Sequence, residues 1–237
     1  MVRSDSVKLA VFDLDGTLVD SALSIVAGVR ACWAACGFPE PDPVTVERII
    51  GLPWEESVRA LLPGAGEAEF AMIQNYHDEV ARGVRHRPPR SEQLFPGARG
   101  MLETLEASGY LLAIITSRGT RRLREILDAE EIAGRFVSLR TTDHGPGKPS
   151  PELMFQTLAE TGARPEDAVM VGDTTFDIEM ARAAGTASVG VSWGVHEGDE
   201  LMRAGADHLV AAFDEIPNAV HGLIGGPAGG PPGGSRR

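Results

Sequence analysis

Two carboxylates stand one residue apart near the start of the chain, as Asp13 and Asp15 in the segment Val11-Phe12-Asp13-Leu14-Asp15-Gly16-Thr17. The apolar run over residues 7–12 predicts a buried strand, and Gly16-Thr17 predicts a turn after it. Both acids should therefore lie at the carboxyl end of that strand, where open α/β sheets bind ligands. Because like charges this close repel unless a cation or a proton lies between them, the pair indicates a metal site. A metal beside a free carboxylate suggests phosphoryl chemistry.

Two further predicted strands also end in polar residues. Thr116-Ser117 follow the apolar run 112–115, and their hydroxyl and backbone N–H groups can bind phosphate oxygens without adding charge. Gly172-Asp173 follow the apolar run 168–171, and Asp177 comes one helical turn later. These strand ends carry the groups that a phosphate and a cation need.

Lysine usage singles out Lys148. Of the 22 basic residues only Lys8 and Lys148 are lysines, so this chain makes little use of lysine as ordinary surface charge. Lys148 lies in Gly147-Lys148-Pro149, at the start of a predicted helix. Its ammonium can neutralise a phosphate and an attacking carboxylate, whereas the simpler interpretation is a solvated surface cation.

Mg²⁺ is the cation that these donors suit, because it takes about six oxygen ligands, keeps several waters and uses few protein carboxylates. Asp13, the carbonyl of Asp15 and Asp173 form a sufficient protein set for it. Each residue also has an ordinary interpretation, since Asp-Gly pairs form turns, and Thr116, Asp173 and Asp177 suit helix N-termini. The occurrence of all these groups at the ends of separate strands or connections favours the chemical interpretation.

The elements that would position these residues alternate between helix and strand after Pro96. That order predicts an α/β fold, a Rossmann-like, doubly wound parallel sheet, for residues 1–19 and 95–215. Residues 20–94 show helical runs without a strand pattern, which predicts a small all-helical domain inserted after the first strand. The Gly- and Pro-rich segment 222–237 cannot bury a core, and we expect it to be disordered. The expected helices are 21–37, 44–50, 55–62, 67–82, 98–108, 120–129, 151–161 and 176–184, and the expected later strands are 111–115, 136–139, 168–171, 188–191 and 207–210.

The charge balance narrows the range of partners. A net charge of −12 and a pI near 4.9 argue against nucleic acid or an anionic membrane surface. No apolar run reaches membrane-spanning length and no signal-peptide pattern is present, so we expect a cytoplasmic protein, either a monomer or a homodimer. Cys32 and Cys36 are spaced as on one helix face, which predicts core packing rather than metal binding.

The chain resembles the haloacid dehalogenase superfamily, specifically its phosphatases with a helical cap after the first strand. The motifs that carry the resemblance are Asp13-Leu14-Asp15-Gly16-Thr17, Thr116-Ser117, Gly147-Lys148-Pro149 and Gly172-Asp173 through Asp177. The resemblance covers residues 7–212, and segments 18–21, 94–97 and 148–152 look like the phosphoglycolate phosphatase type. Ser117-Arg118 departs from that type, whose members often have Asn-Lys there.

The resemblance implies that Asp13 is a nucleophile that forms an aspartyl-phosphate. It implies that Asp15 protonates the leaving alkoxide and then deprotonates the attacking water. Asp177 is expected to support the metal waters or Lys148 rather than bind the ion directly. The implied groups are Thr116, Ser117, Lys148 and Gly51 for the substrate, and Asp13, Asp15, Asp173 and Asp177 for the Mg²⁺ site.

The resemblance also implies a cap that closes over the site and selects the leaving group. Its hinges are expected near Val19-Asp20 and Leu94-Phe95. Gly51-Leu52-Pro53, with Arg48 nearby, resembles the cap loop that reaches the substrate, and the open alternative is a helix-ending turn beside a surface cation. A basic run near the return hinge is better explained as solvated charge than as a substrate contact, and it consists of Arg82, Arg85, Arg87 and Arg90.

The sequence therefore predicts a Mg²⁺-dependent phosphatase for a small phosphorylated metabolite, with 2-phosphoglycolate as the leading substrate. Nucleoside monophosphates, pyrophosphate and sugar phosphates are alternatives, and so is a phosphoglucomutase-like phosphotransferase. A dehalogenase is disfavoured because that reaction dispenses with the second acid, and Asp15 is present. Phosphonate cleavage through a cap lysine is disfavoured because no lysine lies between Lys8 and Lys148. A non-catalytic binding protein is disfavoured because every motif residue is retained.

Overall fold

A computed structural model describes residues 6–83 and 92–226 of the chain. Residues 84–91 lie outside it, and with them Arg85, Arg87 and Arg90 of the predicted basic run. The strands are β1 (Leu9–Phe12), β2 (Val19–Asp20), β3 (Gln93–Leu94), β4 (Leu111–Ile115), β5 (Phe136–Arg140), β6 (Ala168–Gly172), β7 (Ala187–Val191) and β8 (His208–Val210). The α-helices are α1 (Ala22–Ala35), α2 (Pro43–Glu47), α3 (Trp54–Leu61), α4 (Glu67–Ala81), α5 (Ala98–Ala107), α6 (Thr120–Ala129), α7 (Glu152–Thr161), α8 (Thr175–Ala184), α9 (Gly198–Ala204) and α10 (Ile216–Ile224).

The main sheet is the element that positions the predicted site. Within the described residues it has six strands, paired in parallel in the order β5-β4-β1-β6-β7-β8. The chain winds from β1 outward to β5 and then returns to the other side of β1 at β6. This reversal leaves a crevice at the carboxyl ends of β1 and β6, which is where such sheets bind ligands. The predicted Rossmann-like, doubly wound α/β fold is confirmed.

Strand β1 shows why the sheet is covered on both faces. Its four residues are fully buried, and Ala10 and Phe12 pack in one hydrophobic cluster whereas Leu9 and Val11 pack in another. Successive side chains of a strand point to opposite faces. Residues of α5, α6 and α10 complete the first cluster, and residues of α7 and α8 complete the second. An uninterrupted apolar run is therefore what this central strand requires.

Helices α1 to α4 lie between β2 and β3 in the chain and pack around an apolar cluster of their own, whose buried members are Val26, Val29, Cys32, Trp33, Val46, Val58 and Ile73. Strands β2 and β3 pair antiparallel, with Val19 opposite Leu94 and Asp20 opposite Gln93. The two connections of this helical insert to the core therefore run side by side. They coincide with the expected hinges, and the limits 20–94 for a cap domain stay a prediction.

Two helices depart from the expected elements. Helix α10 includes residues 222–224, which were expected to belong to the disordered tail, because Val220 and Ile224 are buried in the same cluster as the sheet. Residues 227–237 lie outside the described part. Helix α9 was not expected, and it is held by Leu201, which packs with Ile178. None of the helices in the described residues is both long enough and apolar enough to cross a membrane.

Two methionines at different depths test this account of the core. Met101 is 3% exposed in α5, and Met202 is 48% exposed in α9. We expect Met101→Ala to lower the free energy of unfolding by about 2–5 kcal/mol, because it leaves a cavity in a close-packed cluster. Met202→Ala should cost less than about 1 kcal/mol. Urea unfolding of both variants measures the difference, and equal losses would contradict the burial assigned to Met101.

Candidate active site

The crevice between β1 and β6 holds the aspartates that follow these strands. The backbone N–H of Asp13 donates to the carbonyl of Val171 (N···O 2.9 Å), and Asp13 and Asp173 are 1% and 0% exposed. Gly16 turns the chain with a φ of 79°, and a Cβ there would lie 2.2 Å from Oδ2 of Asp173. The glycine of the predicted turn is therefore required for the close approach of this segment to Asp173.

Asp173 is fixed by donors to both of its oxygens. Its Oδ1 accepts a hydrogen bond from the hydroxyl of Thr17 (2.7 Å), and its Oδ2 accepts one from the backbone N–H of Val195 (2.9 Å). Burial raises the pKa of Asp173 to about 7, and the neighbouring charge of Asp177 adds to the rise. The position of this carboxylate is thus set before any ligand binds.

Lys148 joins Asp13 to Asp177. Its Nζ lies 2.6 Å from Oδ1 of Asp13 and donates to Oδ1 of Asp177 at 2.7 Å, and the lysine is 1% exposed. The other oxygen of Asp177 accepts from the backbone N–H (3.1 Å) and the hydroxyl (2.7 Å) of Thr174, which caps α8. Burial alone would lower the pKa of Lys148, but Asp13 and Asp177 raise it above its usual value. The carboxylate of Asp177 therefore lies between Thr174 and the ammonium of Lys148.

The carboxylates of Asp13, Asp173 and Asp177 fit a divalent cation. One oxygen from each lies within 4.8 Å of the others. Oδ2 of Asp13 is buried and, among the described residues, has no hydrogen-bond partner. Buried polar atoms are normally paired, and burial raises the pKa of Asp13 well above its usual value. An all-oxygen donor set with this excess of negative charge suits Mg²⁺.

The carboxylate of Asp15 is held by other groups. Arg118 donates to it twice, from Nε to Oδ2 at 2.6 Å and from Nη2 to Oδ1 at 2.5 Å, and the hydroxyl of Ser21 donates to Oδ1 at 2.5 Å. Burial alone would raise the pKa of Asp15, but the charge and hydrogen bonds of Arg118 lower it below its usual value. The pKa values of Asp13 and Asp15 are therefore shifted in opposite directions. The two acids therefore lie in different electrostatic environments.

A cavity of about 1480 Å³ lies between the core and the helical insert, next to the crevice. Asp13, Asp15, Thr116 and Ser117 line it from the core, and Gly51 lines it from the insert. The hydroxyl of Ser117 donates to the carbonyl of Gly51. The expected phosphate-binding loop and the expected cap loop therefore meet at the entrance to the site.

The segment Gly51-Leu52-Pro53 is held against the core through neighbouring contacts. The guanidinium of Arg48 pairs with Glu200 (2.5 Å), and the carbonyl of Arg48 lies 3.1 Å from Nε2 of His196. A Cβ at Gly51, where φ is 104°, would lie 3.2 Å from the hydroxyl of Thr174. These contacts favour the interpretation of this segment as a cap loop. They direct the charge of Arg48 to Glu200 rather than to a substrate.

Three residues around Asp15 had no part in the predicted chemistry. In the sequence Arg118 is notable only because phosphoglycolate phosphatases often have Asn-Lys where this chain has Ser117-Arg118. Ser21 precedes α1 as expected, but its hydroxyl donates to Asp15 rather than to the helix. Glu92 lies outside every motif, and its contacts with Arg118 and Arg122 arise only in the folded chain. No local signal could have identified it.

The fold and the crevice define an α/β protein with a candidate ligand site at the ends of β1 and β6. The family model described as haloacid dehalogenase-like hydrolase matches residues 10–191, a span that contains all four motifs. The chain therefore belongs to the haloacid dehalogenase-like hydrolase family.

Named relatives extend the similarity over nearly the whole chain. The protein of Dickeya dadantii (strain 3937) named "Probable phosphatase IndB" is 33% identical over 219 residues, which cover 91% of this chain and 94% of that one. The Mycobacterium tuberculosis (H37Rv) protein named "Tyrosine-protein kinase PtkA" is 34% identical over 221 residues, covering 91% and 73%. A crystal structure described as a predicted phosphoglycolate phosphatase from Haemophilus somnus 129PT has a TM-score of 0.78 at 25% identity, covering 90% and 97%.

The raised pKa of Asp173 predicts how stability depends on pH when no divalent cation is present. The unfolded chain releases this proton near pH 3.8, whereas the folded protein holds it to about pH 7. Stability therefore falls as the pH rises through that window, because unfolding then releases a proton that the folded protein holds. Asp173→Asn cannot ionise, so its melting temperature relative to wild type should rise between about pH 4 and about pH 7 and stay constant above that.

Thermal unfolding in the presence of a chelator measures this difference. Asp199→Asn, at an exposed aspartate of α9, is the matched control and should show no such trend. A constant offset between Asp173→Asn and wild type over the whole window would contradict the assignment.

Proposed function

We propose that this protein is a Mg²⁺-dependent phosphatase that hydrolyses a small phosphate monoester through an aspartyl-phosphate on Asp13. The observation that carries the proposal is the state of this carboxylate, which borders the cavity. Lys148 binds its Oδ1 at 2.6 Å, and its Oδ2 has no partner among the described residues. A buried carboxylate oxygen beside a fixed cation is suited to nucleophilic attack. The name of the Dickeya relative, a probable phosphatase, supports the reaction class.

In the first step Oδ2 of Asp13 attacks the phosphorus atom, and the bond from phosphorus to the ester oxygen breaks. The ammonium of Lys148 offsets the negative charge of the phosphoryl oxygens and of Asp13 as they approach. The hydroxyl of Thr116 and the backbone N–H of Ser117 donate to the remaining phosphoryl oxygens. Catalysis of phosphoryl transfer consists mostly of such positioning and charge stabilisation.

Asp15 transfers protons in both steps. It gives a proton to the leaving ester oxygen, and as a carboxylate it then takes a proton from the water that attacks the aspartyl-phosphate. The pair with Arg118 favours the ionised form in the substrate-free protein. A phosphate dianion placed beside Asp15 raises its pKa again, because like charges disfavour ionisation. Substrate binding itself thus promotes the acid form that the first step needs.

The Mg²⁺ site would use the carboxylates of Asp13 and Asp173 and the backbone carbonyl of Asp15. Bound there, the ion would supply positive charge that offsets the repulsion between Asp13 and the phosphate. Asp177 keeps Lys148 in place, since both of its oxygens already accept hydrogen bonds.

For the substrate we favour 2-phosphoglycolate. The segments 18–21, 94–97 and 148–152 support it, and so does the description of the Haemophilus structure as a predicted phosphoglycolate phosphatase. Nucleoside monophosphates, pyrophosphate and sugar phosphates are the competing substrates. We place the reaction in the cytoplasm.

A phosphotransferase is the second candidate, and one comparison favours it. The Mycobacterium relative is named a tyrosine-protein kinase at 34% identity, so a protein with this similarity can carry a name that denotes phosphoryl transfer to another group. A phosphoglucomutase-like enzyme would share every motif and would differ in the group that accepts the phosphoryl from Asp13. Water as acceptor defines the phosphatase, and a sugar hydroxyl defines the alternative.

Asp13→Asn tests the nucleophile. The amide has nearly the same size and cannot attack phosphorus, so turnover should fall by about 10⁴-fold or more while the protein stays folded. Phosphate release and the thermal unfolding temperature should be measured together, with Asp199→Asn as the control. Activity near the wild-type level in Asp13→Asn would refute the assignment.

A panel of phosphorylated compounds tests which substrate is preferred and whether Mg²⁺ is required. We expect phosphate release from 2-phosphoglycolate to have the highest kcat/KM among 2-phosphoglycolate, a nucleoside monophosphate, pyrophosphate and a sugar phosphate. Release should stop when a chelator removes Mg²⁺ and return when Mg²⁺ is added. Faster release from another ester would reject 2-phosphoglycolate but keep the reaction. Transfer of the phosphoryl group from a sugar bisphosphate to a sugar hydroxyl, without release of free phosphate, would establish the phosphotransferase.

A further inference from the structure

Behind Asp15 lies a buried ion network that reaches the return connection of the helical insert. Glu92 directly precedes β3, and its carboxylate oxygens lie 3.4 Å from Nη1 of Arg118. Arg122 also donates to Glu92, from Nε at 3.0 Å. The side chains of Arg118 and Glu92 are only 9% and 2% exposed. The guanidinium of Arg118 therefore binds Asp15 on one side and the β3 connection on the other.

This network holds the carboxyl group of Asp15 in one orientation. Two parallel N–H···O bonds from a planar guanidinium fix both the position and the plane of a carboxylate, which a single donor cannot do. Ser21 adds a third hydrogen bond from the other connection, at the start of α1. The carboxylate is thus held from the core loop and from both connections of the insert.

We propose that Arg118, held in place by Glu92, is the positioning residue for proton transfer by Asp15. The inference rests on the proposed function, because it needs Asp15 to act on an ester. In this role Arg118 contacts the carboxylate of Asp15 and acts on the ester only through it. It sets where the Asp15 carboxyl lies relative to the ester oxygen that leaves the phosphorus atom as Asp13 attacks. Glu92 belongs to the connection that leads from the helical insert back to the core. The position of the Asp15 carboxyl therefore depends on where that connection lies against the core.

The competing interpretation is that Arg118 and Glu92 only stabilise the fold. Buried ion pairs contribute little net stability on average, although removal of one partner is costly. A purely structural pair would affect every substrate alike, because it would change the amount of folded enzyme. A positioning residue would affect only those esters whose leaving oxygen must receive a proton.

The test compares two leaving groups in each variant. The leaving group of the alkyl ester 2-phosphoglycolate is a strongly basic alkoxide, which needs a proton. The leaving group of p-nitrophenyl phosphate is a stable phenolate, which departs without one. If another alkyl ester is the fastest in the panel, that ester replaces 2-phosphoglycolate. The measured quantity is the ratio of kcat/KM for the alkyl ester to kcat/KM for the aryl ester. This ratio does not depend on the fraction of enzyme that is folded, and kcat/KM excludes the later hydrolysis of the aspartyl-phosphate.

We expect Arg118→Gln to lower this ratio by about 10²-fold, the lower end of what general acid catalysis contributes. Arg118→Lys keeps the charge but lacks the planar fork, so it should lower the ratio in the same direction by less. Glu92→Gln should also lower it, since Arg118 then loses its charged support. Arg135→Gln is the matched control, because Arg135 pairs with Glu103 (2.7 Å) and Glu106 away from the site. Its ratio should equal that of wild type.

Equal losses on both esters in Arg118→Gln would overturn the inference and establish a structural role. A ratio unchanged in Arg118→Gln and Glu92→Gln would overturn it as well, with the phosphatase itself intact. If wild-type protein releases phosphate from neither ester, the proposed function fails and the inference fails with it.

Discussion

Three buried carboxylates converge at one edge of the sheet. The arrangement of the surrounding residues depends on the mutual repulsion of these carboxylates. Asp13, Asp173 and Asp177 offer oxygens within 4.8 Å of one another. Burial raises the pKa values of Asp13 and Asp173, and the neighbouring like charges add to the rise. Lys148 offsets part of the charge, and Thr174 fixes Asp177 through the first turn of α8. The remaining negative charge suits the crevice to a cation.

Two acids that are nearly adjacent in the chain have opposite pKa shifts. Asp13 faces Lys148 and the acidic cluster, so burial dominates and its pKa rises. Asp15 faces Arg118 and Ser21, so its pKa falls. The turn at Gly16 sends the chain past Asp173 immediately after both acids. The fold thus surrounds two acids of one short segment with different partners, and in the proposed reaction Asp13 is the nucleophile and Asp15 transfers the protons.

The helical insert is tied to this chemistry through its connections as well as its loop. Ser117 donates to the carbonyl of Gly51, so the loop of the insert rests on the expected phosphate-binding segment. Glu92 and Ser21, which flank the paired strands β2 and β3, both belong to the network around Asp15. A leaving group in the cavity would be enclosed by the same element whose connections hold the acid. Substrate selection and proton transfer can therefore be coupled without any long-range change in the sheet.

The sequence by itself determined the local parts of this protein. Neighbours in the chain set the apolar run of β1, the Asp-Gly turn at Gly16 and the helix starts, so these elements were predicted nearly to the residue. Lys148 was singled out because it is one of only two lysines. The tertiary structure decided what depends on distant partners. Helix α10 was hidden by its Gly- and Pro-rich flank and is held by burial of Val220 against the sheet. The pairing of Arg118 with Asp15 and Glu92 joins segments 103 and 26 residues apart. Such contacts have no signature in local sequence, because only the folded chain brings their charges together.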